Sequence, residues 1–470
     1  MATTTAAATA AAAHVIPRNW DELAQVAGLP RPRVFEAQER LFGASQPRLR
    51  LWHDAAGWCP FCEQVWLVVE KMKVPYTMKT IPLKSYMKPG DSAKREEYMK
   101  LCPDGFVPAV QMAARSTDGS TEFGPALESG RKPGLNAGYE ICVDLMQRLP
   151  QEFPLPRTPL RRGYGEALMK RAADFEEIAY AVMNEKPGSE GPFMAFMDEL
   201  SEVLMGHPME GKVAGRFAWW NWGVDDGDGD EEAFGGDKQA GPFMFGKHPC
   251  AADLLLLPML ERVEAYLPPD ASSPLSLEKW LAVKQMLEAA RAPGACAFHD
   301  IGADSETLRS IRARHRGSAA VRSAQAASTT QLAADAASDH EAGRDAAARV
   351  VKKHHAIARF ATMGAGAFRP SPAEVSDSVV AATEDALQLV ADSLLSGTQE
   401  PAAAVSAAAE AASTLASAQA ADVLSETAAA LLFLADNTGV PRDMGADAAK
   451  VFRAHLRLLA LALQALQNPE

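Results

Sequence analysis

Two of the six cysteines in this 470-residue chain lie close together, in the run Trp58-Cys59-Pro60-Phe61-Cys62. Strand-like alternation ends near Asp54 and helical spacing begins at Cys59, so we predict a thiol at the start of a helix. The first amides of a helix have no partner within it and its dipole is positive there, which stabilises a thiolate. Cys62 lies about one turn further on. This pattern predicts thiol–disulfide chemistry, with Cys59 as nucleophile and Cys62 as resolving thiol.

A CxxC pair is also compatible with half of a zinc site or with a static disulfide. No second CxxC or Cys/His pair at ligand spacing follows, and His248 with Cys250 fits the start of a helix better. Six cysteines are too few for a disulfide-stapled secreted scaffold. The acidic run 225–232 lacks the spaced ligands and the final Glu of a calcium loop. We therefore favour redox or thiol-transfer chemistry and expect no metal.

A second motif, Gly105-Phe106-Val107-Pro108, follows about fifty residues later. Pro108 opens a predicted strand, a position where the missing N–H removes no ladder hydrogen bond. We predict a cis Val107–Pro108 bond, which leaves the backbone N–H and C=O of Val107 free to pair with an extended peptide. An ordinary trans turn is the alternative, and it is less compatible with a CxxC helix in the same segment.

The composition divides the chain into segments 1–47, 48–150, 151–299 and 300–470. Within 48–150 we predict the order β-α-β-α-β-β-α, and within 151–299 we predict helices. Segment 300–470 is rich in Ala and lacks Trp and Tyr. Its apolar faces predict a helical bundle, with an extended, loosely docked arrangement as the alternative.

Five helices are predicted in the last segment, over 305–315, 332–361, 372–395, 402–434 and 446–466. For the third of these, Ser371 and Pro372 would form the N-cap and the first helical position.

Charge and hydropathy exclude two classes of partner. The net charge of −13 argues against a nucleic-acid groove, and no apolar run approaches the ~20 residues of a membrane span.

The first thirteen residues are rich in Ala and Thr and contain no acid and no Arg. That composition fits either a plastid transit peptide or a disordered tail. The expected location is the chloroplast, with the cytoplasm as the alternative.

Segment 48–150 resembles the thioredoxin-like half of the glutathione transferase superfamily, in its cysteine-type classes, through the CxxC and Val107-Pro108 motifs. Segment 151–299 resembles the all-helical domain of that superfamily, where Asp253 matches a residue that caps a helix start. Asn19-Trp20-Asp21-Glu22-Leu23 and Val440-Pro441-Arg442-Asp443-Met444 resemble the iota class of photosynthetic organisms. The implied fold class is α/β plus all-α, with an extra α-helical extension at 300–470.

The resemblance implies glutathione as co-substrate, beside the sulfur of Cys59. The implied glutathione-binding residues are Val107, Pro108, Lys84 and Gly138. Where the family has a Glu-Ser pair that binds the γ-glutamyl group, this chain has Ala137-Gly138, which leaves only the Gly138 amide. Glu128-Ser129 could substitute if the intervening residues loop out. His53 flanks the implied cleft, where a packing role is favoured over proton transfer.

The implied activity is glutathione-dependent thiol transfer: deglutathionylation, or reduction of a dehydroascorbate-type compound, on a small thiol or disulfide substrate. An alternative is a non-catalytic ligand-binding or assembly protein built on this fold, because fold alone does not decide function. A third reading is an iron–sulfur cluster bridged between subunits through Cys59 and glutathione. A homodimer, and a protein partner bound through 300–470, are compatible with each of them.

Overall fold

A computed structural model describes residues 18–83, 92–115, 121–127, 137–157, 159–205, 241–270, 272–315, 328–337, 339–366, 376–397 and 400–467. Lys84, Glu128-Ser129, Ser371-Pro372, residues 1–13 and the run 225–232 lie outside these ranges. The chain forms two compact units. The unit that we call the sheet unit comprises Pro32–Ala324 and Gly439–Ala446. The helical unit comprises Met1–Arg31, Gln325–Thr438 and Asp447–Glu470. The four-segment division of the sequence stays a prediction.

The helices described are, in chain order, α1 (Trp20–Ala27), α2 (Pro60–Met72), α3 (Ser92–Leu101), α4 (Ala137–Arg148), α5 (Pro159–Met183), α6 (Glu190–Met205), α7 (Ala251–Tyr266), α8 (Leu281–Arg291), α9 (Phe298–Ile301), α10 (Ser305–His315), α11 (Thr329–Ala336), α12 (His340–Gly366), α13 (Asp377–Ser396), α14 (Pro401–Ala418), α15 (Ala421–Asn437) and α16 (Ala446–Gln467). Short 3-10 helices span Val34–Glu36 and Leu277–Lys279. Within the described ranges, no helix combines the length and the apolar character that a membrane span requires.

The described strands are β1 (Glu39–Arg40), β2 (Leu49–Asp54), β3 (Tyr76–Ile81), β4 (Ala109–Arg115) and β5 (Thr121–Ala126). They form one sheet in the order β1-β3-β2-β4-β5. Strand β2 is parallel to β3 and antiparallel to β4. At the two edges, β1 pairs antiparallel with β3, and β5 pairs antiparallel with β4. Helix α2 makes the crossover that the parallel pair β2–β3 requires. The predicted order in 48–150 is confirmed, and this half of the sheet unit is thioredoxin-like.

Helix α2 begins where the sequence predicts, with Cys59 as N-cap and Pro60 in the first turn, and it ends at Lys73 in the left-handed conformation. Almost every residue of α2 is buried, because the helix packs against β2, α4 and α7. Its apolar residues join one core with β2, β3 and α4 to α8. The first turn of α2 is therefore held from several sides.

Helix α7 is buried along nearly its whole length. The carboxylate of Asp253 is fully buried and accepts the backbone N–H of Cys250 at 2.8 Å and that of Met244 at 3.0 Å. Asp253 therefore fixes the start of α7, which is the structural role that the sequence predicts for it.

The helical unit consists of α1 and α11 to α16 among its described residues. Its helices share buried faces made largely of Ala, Leu and Val. Helix α1 is closed at its start by a capping box of Asn19 and Glu22, and it contacts α12 through a stack of Trp20 on His354 at 4.0 Å. The fold class predicted from the sequence, including an extra helical extension, is confirmed.

The predicted bounds of three helices in the last segment are wrong, while 305–315 and 446–466 agree with α10 and α16 to within one residue. The predicted helix 332–361 is two helices, α11 and α12, and Asp339 between them accepts the Glu341 amide at 2.8 Å. The predicted helix 402–434 is also two, α14 and α15, separated by Gln419 and Ala420. Helix α13 begins at Asp377 in the structure, later than predicted.

Candidate active site

The loop between β2 and α2 is organised by Asp54, the last residue of β2. Its carboxylate is fully buried and accepts three backbone N–H groups: Ala56 at 3.1 Å, Trp58 at 2.7 Å and Cys59 at 3.1 Å. Burial raises the pKa of Asp54 to about 6, although these hydrogen bonds oppose the shift. Sequence reasoning missed this residue; a carboxylate between a strand end and a helix N-cap was the available signal.

Cys59 is half-buried at the N-cap of α2, with an extended backbone conformation. Its Sγ lies 3.9 Å from the carbonyl oxygen of Val107. The carbonyl of Cys59 accepts the amide of Glu63 at 3.1 Å, which begins the helix. The predicted nucleophile is thus at the positive end of α2 and is partly open to solvent.

Cys62 is completely buried, and both cysteines are free thiols in the structure. Burial raises the pKa of the Cys62 thiol well above its ordinary value, and a hydrogen bond with Cys59 and the charge of Asp54 add to the shift. The Cys62 thiol therefore holds its proton more tightly than an exposed cysteine does. Its role as a resolving thiol stays a prediction.

The Val107–Pro108 bond is cis, as predicted. The turn is held by α3: the hydroxyl of Tyr98 donates to the Phe106 carbonyl at 2.5 Å, and Arg95 donates to the Gly105 carbonyl at 3.2 Å. Strand β4 begins at the next residue, Ala109. The structure therefore brings the two predicted motifs, Cys59 and the proline turn, into contact.

Gly138 is buried in the first turn of α4, where it packs against α2. A Cβ placed on Gly138 would lie 2.1 Å from Oε1 of Gln64. Gln64 donates from Nε2 to Glu176 at 2.9 Å and to the Leu255 carbonyl at 2.8 Å, so its side chain is fixed. The geometry explains Gly138 by close packing, and its contact with glutathione stays a prediction. Lys84, outside the described residues, stays a prediction as well.

His53 is buried beneath the loop, and burial lowers its pKa to about 4. Its Nδ1 lies 2.6 Å from the carbonyl oxygen of Asp54, and its ring packs edge-on against Trp66. A neutral imidazole in this position supports packing rather than proton transfer.

A buried ionic cluster that the sequence did not reveal lies behind the loop. Arg262 of α7 donates from Nη1 to Glu63 at 3.1 Å and to Glu261 at 3.3 Å, and from Nη2 to the Trp58 carbonyl at 2.8 Å. All three charged side chains are almost fully buried. Burial raises the pKa of Glu63 to about 7, against the pull of Arg262, and raises that of Glu261 further. Arg262 therefore holds the residue before Cys59 by its backbone.

An aromatic pair lies at the first turn of α2. Phe61 stacks on Tyr180 of α5 with ring centroids 6.2 Å apart, and both are half-buried. Among the residues that the structure describes, no three His, Cys, Asp or Glu side chains converge as metal ligands would. The arrangement places the Cys59 thiol beside the buried Val107 at the cis-proline turn.

Part of the chain is similar to known proteins. Residues 58–126 match the family "Glutathione S-transferase, N-terminal domain". The matched range contains both cysteines and the proline turn. A curated relative, the chloroplastic glutathione S-transferase DHAR3 of Arabidopsis thaliana, is 27% identical over 145 residues, which are 31% of this chain and 43% of the relative. The match therefore spans less than half of that relative's length.

Two solved structures are similar to part of the chain. One is a dehydroascorbate reductase of Chlamydomonas reinhardtii, with 17% identity, a TM-score of 0.35, and coverage of 57% of this chain and 98% of that one. The other is glutathione transferase Omega 1C of Trametes versicolor, with 15% identity, a TM-score of 0.38, and coverage of 57% and 97%. These alignments assign neither a substrate nor a reaction to this chain.

Proposed function

We propose that the chain is a glutathione-dependent thiol transferase of the cysteine type, with Cys59 as its nucleophile. The observation that carries the proposal is the position of the Cys59 sulfur: half-buried at the N-terminus of α2 and 3.9 Å from the Val107 carbonyl at a cis-proline turn. A helix N-terminus favours the thiolate. We expect the backbone of Val107, at the turn, to pair with a peptide-like thiol. The match to a glutathione S-transferase domain supports glutathione as that thiol.

The reaction proceeds through one mixed disulfide. The Cys59 thiolate attacks the glutathione sulfur of a glutathionylated substrate, forming Cys59–S–S–glutathione and releasing the substrate thiolate, which takes a proton. A second glutathione thiolate then attacks the glutathione sulfur of this mixed disulfide. That step restores the Cys59 thiolate and forms oxidised glutathione. With dehydroascorbate as acceptor, two glutathiones supply the two electrons of the reduction.

Cys62 serves this cycle best as a hydrogen-bond donor. Its buried, protonated thiol can donate to the Cys59 thiolate but is poorly prepared to attack, because attack requires its own deprotonation. The alternative is that Cys62 resolves the mixed disulfide and forms a Cys59–Cys62 disulfide. The two routes differ in whether Cys62 is required.

The test compares wild type with Cys59→Ser and Cys62→Ser in the reduction of a glutathionylated peptide and of dehydroascorbate by glutathione. We expect Cys59→Ser to fall to the uncatalysed rate and Cys62→Ser to stay within a few-fold of wild type. Cys296→Ser is the matched control, because Cys296 is the other half-buried cysteine among the described residues. Equal rates for wild type and Cys59→Ser would overturn the proposal.

Calorimetric titration with glutathione separates this enzyme from a non-catalytic assembly protein. We expect binding to wild type that is weakened by a bulky residue in place of Val107. No heat of binding, together with no turnover, would favour the assembly role instead.

Two finer assignments belong to the proposal. The iota-class assignment rests on the resemblance of the motifs at 19–23 and 440–444, of which the first lies at the start of α1 and the second within the sheet unit. A plastid location is supported by the composition of residues 1–13 and by the chloroplastic Arabidopsis relative. Imaging of a full-length fluorescent fusion in an algal or plant cell tests the location, and a purely cytoplasmic signal would refute it.

A further inference from the structure

The eight residues Gly439–Ala446, which we call the 439–446 segment, belong to the sheet unit although the chain on both sides belongs to the helical unit. Val440 and Met444 are buried there. Gly439 and Asp443 close a turn: the Asp443 amide donates to the Gly439 carbonyl at 2.7 Å, and the Gly439 amide donates to Oδ2 of Asp443 at 2.7 Å. The segment is thus an ordered loop, and its contacts with the sheet unit explain why it belongs there.

Two buried hydrogen bonds fasten the segment to that unit. The amide of Val440 donates to Oγ1 of Thr307 on α10 at 3.0 Å. The carbonyl of Pro441 accepts Nη1 of Arg33 at 2.6 Å, and the Arg33 side chain is almost fully buried. Buried hydrogen bonds of this kind hold a loop in one position, because a buried donor or acceptor left without its partner costs free energy.

The fastened segment lies directly against the active-site loop. Gly57 has a positive φ of 73°, and a Cβ there would lie 3.0 Å from Cγ of Pro441 and 2.5 Å from the ring of Phe35. The guanidinium carbon of Arg442 lies 5.2 Å from the centroid of the Trp58 ring, within the range of a cation–π contact. Arg442 also pairs with Asp443, with Nε to Oδ1 at 2.9 Å, which fixes the guanidinium.

Trp58 is consequently held at both ends. Its carbonyl accepts Arg262, its amide donates to Asp54, and its indole is covered by Arg442. Cys59 is the next residue, and its own amide shares the Asp54 carboxylate. The contact of Arg442 with the Trp58 ring therefore adds a third restraint on the residue that precedes Cys59.

We propose that the 439–446 segment is a positioning element of the active site, with Arg442 as the positioning residue that fixes Trp58 and thereby the sulfur of Cys59. This inference rests on the proposed function of Cys59. The segment comes some 380 residues after the nucleophile in the sequence, so the C-terminal extension supplies part of the catalytic geometry. Arg442 acts through Trp58.

The test measures kcat and the KM for glutathione in thiol transfer by full-length wild type, Arg442→Ala and Thr307→Val. Misplacement of a reacting group by about 1 Å can cost about 100-fold. We expect Arg442→Ala to lower kcat by about tenfold with little change in KM, because only the attacking geometry is lost. Thr307→Val removes an anchor of the segment without altering any charge near Cys59, so we expect a smaller fall of the same kind.

The matched control is Arg457→Ala. Arg457 forms a similarly exposed pair with Asp436 in the helical unit, with Nη2 to Oδ1 at 2.7 Å. We expect its kcat to equal that of wild type. Melting temperatures of all variants report whether the fold survives.

Alkylation of Cys59, followed by peptide mass spectrometry, gives a readout that needs no enzyme turnover. If Arg442 positions the loop, Arg442→Ala slows neutral iodoacetamide and anionic iodoacetate by the same factor. If the alkylation rate falls only with iodoacetate, Arg442 acts simply through its charge, and the positioning role is overturned. An unchanged kcat in both Arg442→Ala and Thr307→Val would overturn it as well. The wild type could also prove inactive in thiol transfer while its Cys59 is alkylated at a different rate from that of Arg442→Ala. That result would refute the proposed function but not the positioning role.

Discussion

Arg262→Met tests how the buried ionic cluster supports the active-site loop. The substitution removes the cation between Glu63 and Glu261 and the donor to the Trp58 carbonyl, while methionine keeps much of the volume. Removing one partner of a buried ion pair leaves an uncompensated charge. The expected loss in unfolding free energy is about 3–5 kcal/mol when the carboxylates are ionised.

The loss depends on pH in a direction that the structure fixes. Burial raises the pKa of Glu63 from 4.5 to about 7, so its stabilising effect is complete below about pH 4.5 and is lost as the pH rises through 7. Without Arg262, which favours the ionised form, the pKa rises further. At pH 8 Glu63 is ionised and paired in wild type, whereas the variant must either bury an unpaired carboxylate or take up a proton, and both cost free energy. At pH 5.5 Glu63 is protonated in both proteins, and the loss shrinks to about 2 kcal/mol for two hydrogen bonds to the carbonyls of Trp58 and Pro258.

Thermal unfolding at the two pH values measures the difference. The unfolding entropy is about 2.1 cal/mol/K per residue, and the sheet unit has about 300 residues. Its unfolding free energy therefore changes by roughly 0.6 kcal/mol for each degree near the melting temperature. We expect the melting temperature of Arg262→Met to fall by about 5–8 °C at pH 8 and by about 3 °C at pH 5.5, each relative to wild type. Arg171→Met is the control, because its partly exposed pair with Glu199 should contribute at most about 1 kcal/mol at either pH.

An equal fall at both pH values would refute the argument, because it would show that the carboxylates do not titrate in the folded protein. A rise in melting temperature at pH 8 would refute it more directly, since it would mean that the cluster destabilises the unit as a whole.

Three further predictions concern single residues. Cys62 should resist iodoacetamide in the native protein up to pH 9, because burial raises its pKa, and labelling of Cys62 at the rate of Cys59 would contradict its burial. Gly138→Ala should lower stability by about 1–3 kcal/mol in denaturant titration, since the new Cβ meets Gln64; wild-type stability would show that α4 can shift freely. Asp253→Ala should cost about 2–4 kcal/mol by orphaning the amides of Cys250 and Met244, and an unchanged midpoint would contradict its capping role.

Much of the candidate site could be predicted from the sequence because the relevant physics is local. A strand-like alternation, a cysteine and a proline in consecutive positions are enough to place Cys59 at a helix start. Val-Pro at the opening of a strand is likewise a local signal, and the cis bond at Pro108 follows it. The short strand β1 was missed because two residues carry no periodicity.

The sequence by itself thus determined the position of Cys59 at the start of its helix and the proline turn, since these depend on residues within a few positions of each other. Only the tertiary structure decided what holds them. Glu63 and Arg262 are 199 positions apart, and Trp58 and Arg442 are further apart still, so no spacing in the chain records their contact. Burial and charge pairing act through space, and they become visible only once the helices have packed.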